Sequence, residues 1–154
     1  MGNIIKIDDG SEVFDIVNQR GELLGQFTFI PSDFDLVKRY DETLKAFEQM
    51  QEELNNADSS DSSAVLDTVK DLDRRMGEQI DYLFNAQVAD KFFSITSPFT
   101  ILNNGQFFVE NVINAIRGVI EAKRDVKLKA VQSHVQKYTQ KYKAGPGGHL
   151  APVK

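Results

Sequence analysis

The feature that most constrains this chain is a change of hydrophobic period at Pro31-Ser32-Asp33. Before it, Leu23, Gly25, Phe27 and Phe29 alternate with Leu24, Gln26, Thr28 and Ile30, an aromatic and apolar face opposed to a mixed one. A period of two belongs to a half-buried strand. After it, Phe34, Val37, Tyr40, Leu44, Phe47, Met50 and Leu54 recur at steps of three and four. That spacing lines one side of a helix. A chain that switches period once, from strands to helices, reads as an α+β arrangement in which the sheet comes first.

The strands are expected within 3–30. Residues 3–7 (NIIKI) read as a short strand and 12–30 as a hairpin turning at Asn18-Gln19-Arg20-Gly21. Gly21 supplies the positive φ that such a loop needs. Gly25, in mid-strand, marks a bulge or a close backbone approach.

Helices are expected over 33–54, 64–93 and 105–143. Ser32 is the expected cap of the first, with Asp33 and Asp35 at the positive end of its dipole. Residues 55–63 (NNADSSDSS) are too polar to bury anything and read as a flexible loop, after which Ser62 or Ser63 caps the second helix. Its stripe is Val65, Leu66, Val69, Leu72, Met76, Ile80, Leu83, Phe84 and Val88. Phe99, Ile101 and Leu102 are expected to tuck into the core. Asn103-Asn104-Gly105 reads as a turn, with Asn104 capping the third helix. That helix carries Phe107, Phe108, Val109, Val112, Ile113, Ile116, Val119 and Ile120, and belongs at the centre of a three- to four-helix bundle. The whole reads as a single α+β domain over 1–143, with a disordered tail over 144–154.

Charge is unevenly spread. Residues 1–122 hold 10 Lys/Arg and 22 Asp/Glu, whereas 123–154 hold 8 Lys/Arg and a single acid. The basic segment either folds back on the acidic body or reaches a partner. Lys123, Arg124, Lys127 and Lys129, with Tyr138 and Tyr142 further on, are the candidate contact residues there. Nucleic acid is a poor fit, because arginine is scarce and the chain is acidic as a whole. No signal peptide is read in MGNIIKIDDG, and no stretch has the length of a membrane span.

Catalytic sets are missing from the sequence. The only histidines are His134, on the basic segment, and His149, in the tail. With no cysteine, thiolate metal sites and disulfides are excluded. The acid pairs Asp8-Asp9, Asp33/Asp35 and Asp71/Asp73 do not match a calcium loop. Gly145-Pro146-Gly147-Gly148 lacks the Lys-Ser/Thr of a phosphate loop. The expectation is a protein that is no enzyme, needs no cofactor or metal, and works by binding protein. Self-association through the free sheet edge or a helix stripe is compatible with the pattern.

One larger pattern has a likeness. FTFIPSDFDLVKRYDETLKAF places Arg39 and Tyr40 on a helix after a strand. Further on come Leu83-Phe84, Phe92-Phe93, Asn103–Gly105 and the apolar run from Phe107 to Ile120. Over roughly 12–122 this resembles small tail-module proteins of long-tailed bacteriophages that infect Gram-positive hosts. The resemblance implies a tail assembly chaperone of the host cytoplasm that binds the tape-measure protein and helps recruit tail-tube subunits. It also implies Arg39 and Tyr40 as contact residues. The extension from Lys123 departs from the matching part. Two other readings of the chain are a phage-encoded, anti-CRISPR-like inhibitor of a host defence nuclease and a structural tail or joining subunit of the virion.

Overall fold

The computed structural model describes residues 2–57, 59–123 and 125. A two-stranded antiparallel sheet, β1 (Glu12–Val17) and β2 (Leu23–Phe29), precedes four helices: α1 (Phe34–Asn55), α2 (Ser62–Phe84), the single turn α3 (Ala89–Phe92) and α4 (108–123). The α+β class with a helical bundle is therefore as expected. The tail expected at 144–154, and most of the third helix expected to reach 143, lie outside the described residues.

The hairpin closes as its sequence implies. Gly21 has φ +82°, its N–H donates to Asn18 O at 3.0 Å, and Asn18 N–H donates to Glu22 O at 3.0 Å. The register shifts once, between Ile16 and Val17, leaving Leu24 unopposed. Gly25 sits beside that bulge and also beneath the Lys91 side chain, where a Cβ would lie 2.7 Å from Lys91 Cγ. Both meanings read into this glycine are met. Residues 3–7, by contrast, form no strand and leave Ile4, Ile5 and Ile7 77–88% exposed.

Several helix starts fall elsewhere than expected, because a carboxylate is the better acceptor for free N–H groups at the positive helix end. Asp33, not Ser32, caps α1, its side chain accepting from Asp35 N–H. Asp61, not Ser62 or Ser63, caps α2 through Ser63 and Ala64 N–H. Asn104 accepts from Gln106 N–H within the turn, and α4 starts three residues later than the expected 105. There Glu110 reaches back to Phe107 N–H at 2.7 Å, the acidic half of a capping box. Phe108 and Val109 N–H donate to Thr100 O and Pro98 O, so the preceding loop also caps α4.

The helix expected over 64–93 breaks at Asn85, which is left-handed at φ 51°. Asp81 holds the break: its Oδ1 accepts from Val88 and Ala89 N–H, both at 2.8 Å. Chain that would have continued the helix turns instead, carrying Lys91 and Phe92 to β2.

The core joins Leu36, Tyr40, Phe47 and Met50 of α1 with Leu72, Met76, Ile80, Leu83 and Phe84 of α2 and Val109 to Ile120 of α4. Phe34 and Leu66, expected inside, are 71% and 53% exposed, and Ile101 is 69% exposed. Thr43 is the one buried polar residue among those described. Its hydroxyl donates to Arg39 O at 2.8 Å and accepts from Gln79 Nε2 at 3.0 Å, so neither group is left unpaired.

Candidate functional site

Burial of the hairpin's inner face is incomplete, and what it leaves open is the candidate site. Phe27 and Phe29 pack edge-on against Phe84 at 4.9 and 5.0 Å, and Phe27 meets Phe92 at 5.7 Å. This aromatic cluster ties the hairpin to the end of α2 and to α3. Toward α4 the packing is looser. A cavity of 460 Å³ opens between the hairpin tip, the 92–102 segment and α4, walled by Ile16, Val17, Leu24, Ile95, Leu102 and Phe108. A second, of 240 Å³, runs between β1 and α4 under Phe14, Ile16, Ala115 and Val119. Ile16, Val17, Phe92 and Ala115 wall both, which makes one continuous apolar groove.

The groove has polar margins. Asn18 and Arg20 stand at the hairpin tip and Asn111 on α4. At the other end Lys123 Nζ meets Glu12 Oε1 at 3.0 Å, both side chains 43% exposed. An exposed pair of this kind stabilises by about 0–1 kcal/mol, so it positions more than it holds. Apolar walls with a few polar groups at the rim suit apolar side chains entering from a partner. The groove presents no carboxylate pair, histidine or nucleophile–base contact. Among the described residues no group of His, Asp and Glu is placed to hold a metal ion.

The residues singled out in the sequence are placed apart from this groove, with one exception. Arg39 Nε donates to Leu83 O at 2.9 Å, bracing α1 against the last turn of α2. Tyr40 is buried, and its hydroxyl accepts from Arg117 Nε at 2.8 Å. Burial pushes that hydroxyl above its ordinary pKa, with Arg117 pulling the other way. Both side chains are thus occupied in joining helices. Lys123 is the exception, at the groove's end. Arg124, Lys127, Lys129, Tyr138 and Tyr142 lie outside the described residues.

The groove residues were not among those contact candidates. Ile16, Val17 and Leu24 were read only as hairpin residues, Phe108 as part of the third helix and Leu102 as core. Ile95, placed in none of these elements, is 54% exposed and stands at the groove mouth.

Elsewhere the charged faces are mixed. Arg75 bridges Glu53 and Asp71, at 2.7 and 3.3 Å, and Arg74 bridges Asp71 and Glu78, both at 2.8 Å. Hydrogen bonds from these arginines hold Glu53 and Asp71 below the usual carboxylate pKa. Among the described residues no helix is long and apolar enough to cross a membrane. No protein-family model, no curated protein and no solved structure matches the chain.

Proposed function

We propose that this chain is a non-enzymatic protein-binding protein of the tail-assembly-chaperone kind, which holds the tape-measure protein in the host cytoplasm during tail morphogenesis. The observation that carries the reading is the 460 Å³ groove at the hairpin tip, open to solvent and walled by aliphatic and aromatic side chains. A long helical client exposes an apolar stripe before assembly. An apolar groove shields part of such a stripe, and the charged outer faces keep the pair in solution. The Arg74 and Arg75 networks break the acidic surface into mixed patches, which suits a soluble carrier better than a mimic of nucleic acid.

Co-production with the tape-measure protein of the same phage is the test. The client is expected to stay soluble and co-purify with the chain. Ile95→Asp combined with Ala115→Arg, both at exposed positions on the groove rim, is expected to lower recovery of the complex at least tenfold. Full recovery with that variant would move the contact away from the groove. A client that aggregates whether or not the chain is present would overturn the chaperone reading itself.

A further inference from the structure

A two-stranded sheet has two free edges, and in this molecule they are treated differently. The outer edge of β2 is closed by Lys91, whose Nζ donates to Gln26 O at 2.6 Å while its stem crosses Gly25. A lysine on a strand edge is a common guard against further pairing. The outer edge of β1 is left open along its backbone: among the described residues no backbone hydrogen bond reaches it from outside the hairpin, and Lys123 of α4 touches only the Glu12 carboxylate at its first residue. Backbone groups along an antiparallel strand point alternately to the partner and away. Because Gln26 turns its carbonyl outward to Lys91, its cross-strand partner Asp15 turns its own N–H and C=O outward along the open edge. The 240 Å³ cavity lies beside this edge, between β1 and α4.

The chain carries a strand-forming sequence that is not paired in its own fold. Residues 3–7 are rich in β-branched isoleucine, and Ile4, Ile5 and Ile7 are 87%, 88% and 77% exposed. A turn separates them from β1: Asp8 Oδ1 accepts Gly10 N–H at 3.0 Å, Asp9 Oδ1 accepts Ser11 N–H at 2.9 Å, and Gly10 has φ +74°. With those N–H groups bonded to side chains, the backbone turn that would fold 3–7 onto their own β1 is not formed.

We infer that residues 3–7 of a second copy add to the open edge of β1, giving an exchanged dimer. The register follows from charge. Antiparallel pairing with Lys6 opposite Asp15 places Ile5 opposite Ile16 and Ile7 opposite Phe14. The isoleucines then join the inner, apolar face beside the cavity. Ile4 falls opposite Val17, which is itself half exposed beside the groove. A shift by one residue would send Lys6 into the apolar cavity and Ile5 and Ile7 to the solvent face. Reciprocal exchange satisfies both copies with the same contact, as a two-fold dimer requires.

The test needs only the purified chain. Its mass in solution is expected to be twice the 17.4 kDa of the monomer at micromolar concentration. Ile5→Asp with Ile7→Asp, at exposed positions, is expected to halve that mass without loss of helical content. Lys6→Cys with Asp15→Cys, in a chain that has no cysteine of its own, is expected to oxidise to a covalent dimer. A wild-type chain that is monomeric at all concentrations would overturn the inference. So would a disulfide formed within one chain, or a dimer that survives the aspartate substitutions. None of these outcomes depends on the tape-measure partner.

Discussion

The helical half and the hairpin are built from equally apolar residues and end up with very different burial. In α2 and α4, Leu72, Met76, Ile80 and Val109 have essentially no exposed surface. On the hairpin, Val13, Val17 and Leu23 keep 52–63% of theirs. A helix has satisfied its own backbone and needs only to bury a stripe, which two neighbouring helices do from both sides. A hairpin covers one face at best and leaves two edges, and an isolated pair of strands is marginal in water. Here the aromatic cluster of Phe27, Phe29, Phe84 and Phe92 docks it, and the side toward α4 stays open. The same contrast separates a stable scaffold from the surface available for binding.

The largest expected effect breaks the joint between the two halves. Phe84→Ala removes the ring shared by Phe27, Phe29 and Phe92 and is expected to cost about 3–5 kcal/mol. In hydrogen exchange the amides of β1 and β2 should lose protection before those of α2. Uniform loss across both halves would show that hairpin and helices unfold as one unit.

Glycine sharpens the comparison at a smaller scale. Gly25→Ala places a methyl group 2.8 Å from Lys91 Cβ, close to the backbone of α3, where the side chain cannot swing away. A loss of roughly 1–3 kcal/mol is expected, together with release of the β2 edge. Gly77→Ala, inside α2, meets only Ala89 Cβ at an ordinary 3.7 Å and should gain about 0.5–1 kcal/mol from the lower helix propensity of glycine. Denaturant midpoints of the two variants should move in opposite directions. If both fall, α2 is less tolerant than its packing indicates.

The smallest effect is on pH dependence. Asp73, partly buried on α2, accepts Phe99 N–H at 2.9 Å and so pins the 94–100 loop. Burial raises its pKa above 3.8, and the Phe99 bond offsets only part of that. The folded state therefore holds this proton more tightly than the unfolded chain. The stabilisation from that proton is complete below 3.8 and is lost as pH rises through the folded value. Asp73→Asn keeps the acceptor and removes the titration. Relative to wild type, its stability should climb between pH 4 and pH 7, read from urea midpoints. A difference that does not change with pH would mean Asp73 titrates normally.

Much of the architecture was legible because it rests on local chemistry. Gly21 and Gly25 announced the hairpin loop and the bulge, Leu72, Met76 and Ile80 announced the buried stripe of α2, and Asn103 to Gly105 announced the turn before α4. Phase at the ends of elements was harder. A stripe at steps of three and four accommodates either Phe34 or Leu36 in the first turn of α1, and only contact with the other helices selected Leu36. Thr43 gave no apolar signal and is buried because Gln79, on another helix, supplies its partner. Arg39 and Tyr40 were contact residues by the resemblance, yet Leu83 and Arg117 take them into the packing, for Tyr40 as its place in the apolar stripe implied.

Alone, the amino-acid order determined the hairpin, the long helices, their succession and most of the apolar face of each, though not the fate of residues 3–7 or the break at Asn85, since periodicity and turn chemistry act over a few residues. The groove, the guarded edge of β2 and the open edge of β1 were decided by tertiary structure. Each depends on where a distant group arrives: Lys91 reaches Gln26 only because Asp81 breaks the helix at Asn85, and α4 stands off from the hairpin only because Phe84 and Phe92 hold the hairpin elsewhere. An edge is open or closed according to what is brought beside it in space, and no spacing along the chain encodes that.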